Sequence, residues 1–263
     1  MRLSEHLADV RDRVRRAGRV WVGCDFDGTL APLTDDPWAA APEAHAVAAL
    51  GRLAGCPAAA VAIISGRSLD DLKPRVPVAD IAFAGNHGAE IDAPGLILAD
   101  PVATAASPAL AAAHARLSAS RLSTVGGVTI EHKRYSLAVD YRPVPVPDRL
   151  RIKADVETAA EGLPSLYVHH AMNGSEVRVI GGWNKGTASR RLWLHQAGAG
   201  AVPVFLGDDL TDEDAFAALP DGVTVCVGDH PTAARYRVLN PKAVATFLGW
   251  LADECEGIGP PNR

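Results

Sequence analysis

Three short apolar runs stop abruptly at polar clusters, and this repeated ending constrains the chain more than any other feature. Val20-Trp21-Val22-Gly23-Cys24 gives way to Asp25-Phe26-Asp27-Gly28-Thr29, and Val61-Ala62-Ile63-Ile64 gives way to Ser65-Gly66-Arg67. Val202-Pro203-Val204-Phe205-Leu206 ends in Gly207-Asp208-Asp209-Leu210-Thr211-Asp212. Runs this short and this continuously apolar mark strands covered on both faces, as in a parallel sheet under helices. In such a sheet the polar clusters gather in the crevice beyond the carboxyl ends of the strands. Side chains at i and i+2 share a face, so Asp25 and Asp27 point together. Taken singly, each cluster also reads as an ordinary strand-ending turn.

The pattern sorts the chain into three stretches. Strands near 20–24, 59–64 and 81–84 alternate with helices near 43–54 and after Ser68. The alternation resumes after residue 182, with a helix from Lys185 to about Ala197, a strand at 202–206, a helix from Asp212 to Leu219 and a strand at 223–227. Asn240-Pro241 then supplies an N-cap and a first helical residue for a last helix. The middle differs, because its strands alternate. Val128, Ile130 and His132 share one face, Thr129, Glu131 and Lys133 the other; Tyr135, Leu137, Val139 and Tyr141 oppose Ser136, Ala138, Asp140 and Arg142. Such alternation marks a sheet with one covered face. With helices near 108–120 and 147–160 and strands at 166–169 and 175–180, the middle reads as an α-β-β-α-β-β insertion. Pro101 to Ser107 and Gly181-Gly182 are its expected hinges.

At 263 residues, 48% hydrophobic and 22% charged, the chain can bury a sizeable core. A formal charge of −5 argues against broad nucleic-acid binding. The Arg-rich stretch from Arg11 to Arg19 is read as the wet face of a helix whose Leu7, Val10 and Val14 turn inward. No stretch approaches the roughly 18 uninterrupted apolar residues of a membrane span, and the start lacks a signal-like apolar region, so a cytoplasmic protein with no membrane partner is expected. Cys24, Cys56, Cys226 and Cys255 are scattered without CxxC spacing, which favours reduced, buried thiols. Neither a P-loop nor a dinucleotide-binding glycine pattern is present, and no nucleotide cofactor is expected.

Together with Asn184-Lys185-Gly186 at an apparent helix start, the clusters supply a nucleophile, an anion-holding hydroxyl, a cation and a metal carboxylate in chain order, which is the inventory of phosphoryl transfer. This constellation resembles the haloacid dehalogenase-like phosphatases along nearly the whole chain. The segments DFDGTLAP, ISGR, AGNHGAE, NKG and FLGDDLTDEDAF are most similar to the trehalose-6-phosphate phosphatases among them. The resemblance implies an α/β fold: a parallel Rossmann-like core, residues 1–104 and 182–263, with an inserted α-β-β-α-β-β cap domain, residues 105–181.

It also implies roles. Asp25 is the nucleophile that forms an aspartyl-phosphate, Asp27 the general acid and base, Ser65 and Lys185 the phosphate-holding hydroxyl and ammonium. Mg²⁺ is held by Asp25, the main-chain carbonyl of Asp27 and Asp208, with Thr29, Asp209 and Asp212 in support, although Asp212, Glu213 and Asp214 fit the first turn of a helix better than they fit ligands. Arg67, Asn86, His87, Gly88, Glu131, Lys133, Arg142, Glu176 and Arg178 are the expected substrate contacts, although charged strand residues that merely face water are the default for any one of them. The substrate is a sugar phosphate, trehalose 6-phosphate first. A functional link to a trehalose-6-phosphate synthase follows as an expected partner. Two departures bear on the sugar: Asp140-Tyr141-Arg142 stands where the family commonly has His-Tyr-Arg, and Val179 follows Arg178 where a proline is usual. Phosphatases of other sugar phosphates, such as a glycosylglycerate, glucosylglycerol or pseudo-sugar phosphate, and a non-catalytic sugar-phosphate sensor are the alternatives.

Overall fold

The computed structural model describes residues 1–219 and 221–258. The chain forms two compact units, Met1–Leu98 with Asn184–Arg263, and Ala99–Trp183. Helix α1 (Leu7–Ala17) leads into β1 (Val20–Cys24), α2 (Ala44–Ala54), β2 (Ala59–Ile64), α3 (Leu69–Arg75), β3 (Ala82–Gly85), β4 (Glu90–Ala93) and β5 (Leu96–Ala99). The second unit follows with α4 (Pro101–Ala105), α5 (Ser107–Ala119), β6 (Thr129–His132), β7 (Leu137–Asp140), α6 (Val146–Ala160), β8 (Leu166–His170) and β9 (Gly174–Val179). The chain then returns through α7 (Lys185–Gln196), β10 (Val202–Gly207), α8 (Glu213–Ala218), β11 (Val223–Val227), β12 (Tyr236–Val238) and α9 (Pro241–Glu256).

The first unit is built on one sheet in the order β12-β11-β10-β1-β2-β3-β4-β5. Its neighbours from β12 to β3 run parallel, as the apolar runs require, and β4 turns back antiparallel on β3. Alternate residues of each central strand serve opposite faces. Val20, Val22 and Cys24 of β1 join Val10 and Val14 of α1, Leu50 and Leu53 of α2 and Leu248 and Leu251 of α9 in one core. On the other face the Trp21 indole donates to the side-chain Oε1 of Gln196 on α7 at 2.9 Å, and Phe205 meets Phe216 of α8 edge-on. Strand order reverses at β1, which has β2 on one side and β10 on the other. That reversal opens a crevice at the carboxyl ends of β1 and β10. The hairpin of β4 and β5 was not expected from the sequence; it turns at Pro94-Gly95, where Gly95 has φ of 75°.

The second unit packs a four-stranded antiparallel sheet, β6-β7-β9-β8, against α5 and α6. Leu137, Val139, Val177 and Leu166 meet Leu110, Ala113 and Leu117 of α5 and Ile152 and Val156 of α6. The unit runs from 99 to 183, wider at both ends than the expected 105–181. The first expected hinge, Pro101 to Ser107, is helical over Pro101–Ala105, with α5 starting at Ser107. Its physical reason is local. Asp100 is the N-cap, accepting the Val102 amide at 2.9 Å, and proline at the first helical position is already set to the helical φ. The second Asp100 oxygen accepts the Trp183 amide at 2.6 Å, so one fully buried carboxylate ties the segment that enters the unit to the segment that leaves it. Beside it, a Cβ on Gly182 would lie 2.8 Å from the same oxygen.

Among the described residues no helix is long and apolar enough to cross a membrane, and the four cysteines are free and buried. Replacing Asp100 with alanine strands two amide donors at the junction. Asp100→Ala is expected to lower unfolding free energy by about 2–4 kcal/mol in urea titration and to speed hydrogen exchange at Val102 and Trp183. A change below about 0.5 kcal/mol would contradict the tie.

Candidate active site

Parallel pairing sets the first two acids. Cys24 lies opposite Leu206, and the Asp25 amide donates to the Leu206 carbonyl at 2.9 Å, so Asp25 after β1 and Asp208 after β10 emerge side by side. The turn after Asp25 has to be tight enough to let them meet. Gly28, at φ of 81°, would carry a Cβ only 2.0 Å from an Asp208 carboxylate oxygen. Thr29 donates its hydroxyl to the other Asp208 oxygen at 2.9 Å.

Lys185 completes the centre. It is the first residue of α7, behind an Asn184 cap that accepts the Thr187 amide, and it is only 2% exposed. Its ammonium donates to Asp25 Oδ1 and to Asp212 Oδ1, both at 2.7 Å. The second oxygen of Asp212 accepts the Asp208 and Asp209 amides at 3.0 and 2.9 Å. Asp212 therefore holds both Lys185 and the backbone that carries Asp208. Asp209, expected in support, caps the short turn that follows β10. A Cβ on Gly207 would sit 2.2 Å from the Asp212 carboxyl carbon, so this approach requires glycine.

Among the described residues, the charges of this cluster do not balance. Oxygens of Asp25, Asp208 and Asp212 lie within 4.8 Å of one another, and against three carboxylates stands the one ammonium of Lys185. Burial works against a charged lysine, but Asp212 and Asp25 outweigh it and hold the ammonium above its usual range. Burial raises the proton affinity of Asp25 well above that of an ordinary carboxyl, and Asp212 and Asp208 add to the effect against the pull of Lys185. Burial, then Asp212, pushes Asp208 up to about 6. A cluster short of positive charge and made of oxygen donors fits a hard divalent cation.

The expected hydroxyl and loop lie at the neighbouring strand ends. Ser65, buried after β2, accepts the Arg67 amide at Oγ, which leaves its proton to donate elsewhere. Asn86, His87 and Gly88 form three successive left-handed residues, with φ of 50°, 58° and 104°. Non-glycine residues in that region cost of order 1–3 kcal/mol each, and here pinned contacts maintain them. Asn86 and His87 amides donate to the Arg67 and Ser65 carbonyls, and the His87 ring lies where a Gly66 Cβ would be. Glu90, not foreseen as a site residue, accepts both the Asn86 side-chain amide at 2.7 Å and the Leu69 amide that opens α3 at 3.0 Å. Its signal was the acid of AGNHGAE. Arg67 turns toward Asp27, Asp71 and the Pro37 carbonyl.

The remaining expected contacts belong to the second unit. Glu131, Ala138, Glu176 and His169 pair in one cross-strand row, so Glu131, Lys133, Asp140, Glu176 and Arg178 lie on the sheet face opposite its core. Glu176 gathers the cluster: it accepts Ser136 Oγ at 3.0 Å and Arg178 Nε at 2.6 Å, with Lys133 Nζ 3.8 Å away. Asp140, the departure noted in the sequence, accepts the Arg142 amide at 2.8 Å and faces its guanidinium at 3.4 Å. His169 and His170 are neighbours on β8 and so lie on opposite faces of the sheet; His170 bonds Ser175 and Glu157.

A sequence profile of the family described as trehalose-phosphatase matches residues 24–242. The trehalose-phosphate phosphatase of Mycobacterium marinum is 41% identical over 97% of this chain and 69% of its own length. That of Mycobacterium avium is 44% identical over 88% of this chain and 62% of its own length. The chain thus spans about two thirds of these relatives. The C-terminal domain of Candida albicans trehalose-6-phosphate phosphatase superposes with a TM-score of 0.77 at 24% identity, covering 94% of this chain and 96% of that one, and shares its fold. With the paired aspartates after β1, the buried Lys185 and the acids after β10 inside the matched span, this chain belongs to the trehalose-phosphatase family.

Proposed function

We propose that the chain hydrolyses trehalose 6-phosphate to trehalose and phosphate, with Mg²⁺ as its metal. The observation that carries the reading is the Asp25 carboxylate beside the Lys185 ammonium and the Asp208 carboxylate, at the strand-order reversal. Phosphate monoesters are among the slowest bonds to hydrolyse unaided, and the transition state is crowded and anionic. An aspartate nucleophile divides the task. An Asp25 oxygen bonds to phosphorus as the bond to the sugar oxygen breaks, and Asp27 gives that oxygen its proton. Asp27 then takes a proton from water, whose oxygen attacks phosphorus and returns Asp25 to its carboxylate. Lys185 and the Ser65 hydroxyl hold the phosphoryl oxygens through both halves. When bound by Asp25, the main-chain carbonyl of Asp27 and Asp208, Mg²⁺ supplies the positive charge that the carboxylates lack and draws charge from the phosphoryl group.

Specificity is assigned to Asn86, His87 and Gly88 in the first unit and to Glu131, Lys133, Arg142, Glu176 and Arg178 in the second. Carboxylates accept paired sugar hydroxyls, while Lys and Arg donate to them. One observation favours a second reading, the same chemistry on another sugar phosphate: Asp140 occupies Arg142 where the family commonly has a histidine. In the first reading the substrate's source is a trehalose-6-phosphate synthase. Four free buried thiols suit a reducing compartment, the cytoplasm.

With Mg²⁺ present, kcat/KM for trehalose 6-phosphate is expected to exceed that for glucose 6-phosphate and sucrose 6-phosphate by about tenfold or more in a phosphate-release assay. Parity would remove the assignment of the sugar, and no turnover of any phosphate ester would leave a binding protein. Charge balance gives a further expectation. Asp208 is raised to about 6 in the folded chain from 3.8, so its contribution to stability is present at low pH and lost as pH rises through about 6. Metal-free protein should therefore lose about 1.4 kcal/mol between pH 5 and 7.5 relative to Asp208→Asn in denaturant titrations. Millimolar Mg²⁺ should remove that difference; an identical profile for the two proteins would contradict the charge deficit.

A further inference from the structure

The Arg67 guanidinium is spent inside the first unit. Its Nε and Nη2 clamp the two oxygens of Asp27 at 2.7 Å each, Nη2 also reaches the Pro37 carbonyl at 2.7 Å, and Nη1 donates to Asp71 at 2.5 Å. The Phe26 ring lies 5.3 Å from its central carbon. Its side chain is 10% exposed, against 38% for the Asp27 side chain that it holds. Of the roughly five N–H donors a guanidinium offers, four are committed to protein oxygens.

The clamp is itself held. Asp71 accepts two bonds from Arg75 at its other oxygen, at 3.0 and 2.7 Å. Arg75 in turn donates to the Trp38 and Ala40 carbonyls, at 3.0 and 2.7 Å. Burial opposes the charge on Asp71, but Arg75 and Arg67 outweigh it and keep the carboxyl below its usual range. A row of alternating charges, Arg75, Asp71, Arg67 and Asp27, thus runs from α3 to the turn after β1. It also holds the short 3₁₀ turn Pro37–Ala39 through the Pro37, Trp38 and Ala40 carbonyls.

We propose that Arg67 is the positioning residue of the general acid and base Asp27, held in place by Asp71 and Arg75, and does not contact the sugar. The inference rests on the proposed role of Asp27. A carboxylate offers about four lone-pair sites; the fork occupies one on each oxygen and leaves one on each for a proton. A half-exposed aspartate would otherwise sample several rotamers. Proton transfer needs heavy atoms within about 2.6–3.2 Å, and a misplacement of about 1 Å costs on the order of 10²-fold. Lysine keeps the charge of Arg67 but lacks the planar fork that fixes both oxygens.

The leaving group separates this role from the alternatives. A sugar oxygen needs a proton to depart, whereas nitrophenolate does not. Arg67→Lys and Asp71→Asn are compared with the unaltered protein in single-turnover release from trehalose 6-phosphate and from p-nitrophenyl phosphate, with Mg²⁺, and in steady-state KM. Arg67→Lys is expected to lose about 10²-fold on the sugar ester with KM within about threefold, and at least about tenfold less on the nitrophenyl ester. Asp71→Asn should show the same selectivity in smaller measure, and it carries the test if Arg67→Lys melts early. A raised KM with kcat retained would make Arg67 a substrate ligand and overturn the proposal. Equal losses on both esters would reduce it to a structural role, also overturning it. The substrate reading is tested separately by turnover in the unaltered protein; if trehalose 6-phosphate is not hydrolysed, glucose 6-phosphate serves as the ester with the demanding leaving group.

Discussion

A buried ammonium between two buried carboxylates is the interaction on which the site depends. Lys185 bonds Asp25 on one side and Asp212 on the other, and none of the three is more than slightly exposed. Removing charges from water costs several kcal/mol per ion, recovered only where geometry is good and the remaining lone pairs are bonded. Asp212 meets that condition through the Asp208 and Asp209 amides. Asp25 meets it only in part, and the deficit of positive charge it shares with Asp208 is what a divalent cation would fill. Buried carboxylates short of positive charge are suited to binding a cation.

The fold supplies that arrangement from distant parts of the chain. Asp25 and Lys185 are 160 positions apart, and the whole second unit lies between them. Parallel pairing of β1 with β10 brings the two acidic turns together, and two glycines make the approach possible: Gly28 gives room to Asp208, and Gly207 to Asp212. Strain collects at the neighbouring loop, where Asn86 and His87 keep left-handed backbones under Glu90 and the carbonyls of the Ser65 turn. Rigid strands with a strained, well-pinned loop hold reacting groups within the narrow tolerance that catalysis demands.

Much of this was legible in the sequence because its signals are local. The apolar runs became central parallel strands, the alternating runs became the one-sided sheet of the second unit, and Asn184 and Asn240 cap helices where their sequences indicate. The β4–β5 hairpin escaped because its strands are only four residues long and Leu96–Ala99 shows little polar alternation; only Pro94-Gly95 announced the turn. The helix in the expected hinge carried its own signal in Asp100-Pro101, but not the bond from Asp100 to Trp183, 83 positions away. Arg67, Asp71 and Arg75 stand four residues apart, a spacing that predicts ion pairs along a helix. That the row ends on Asp27 depends on tertiary packing, which no local pattern encodes. The same limit applies to Asp140, whose pairing with Arg142 turns a substitution in a motif into a change of available charge.

Passage of the phosphoryl group through Asp25 leaves a trappable acyl phosphate. Acid-quenching the protein during turnover of trehalose 6-phosphate with Mg²⁺, followed by borohydride reduction, converts an aspartyl-phosphate to homoserine, which peptide mass spectrometry locates. Homoserine at position 25 is the predicted result. Homoserine at another aspartate, or none at any position while phosphate is being released, would contradict it.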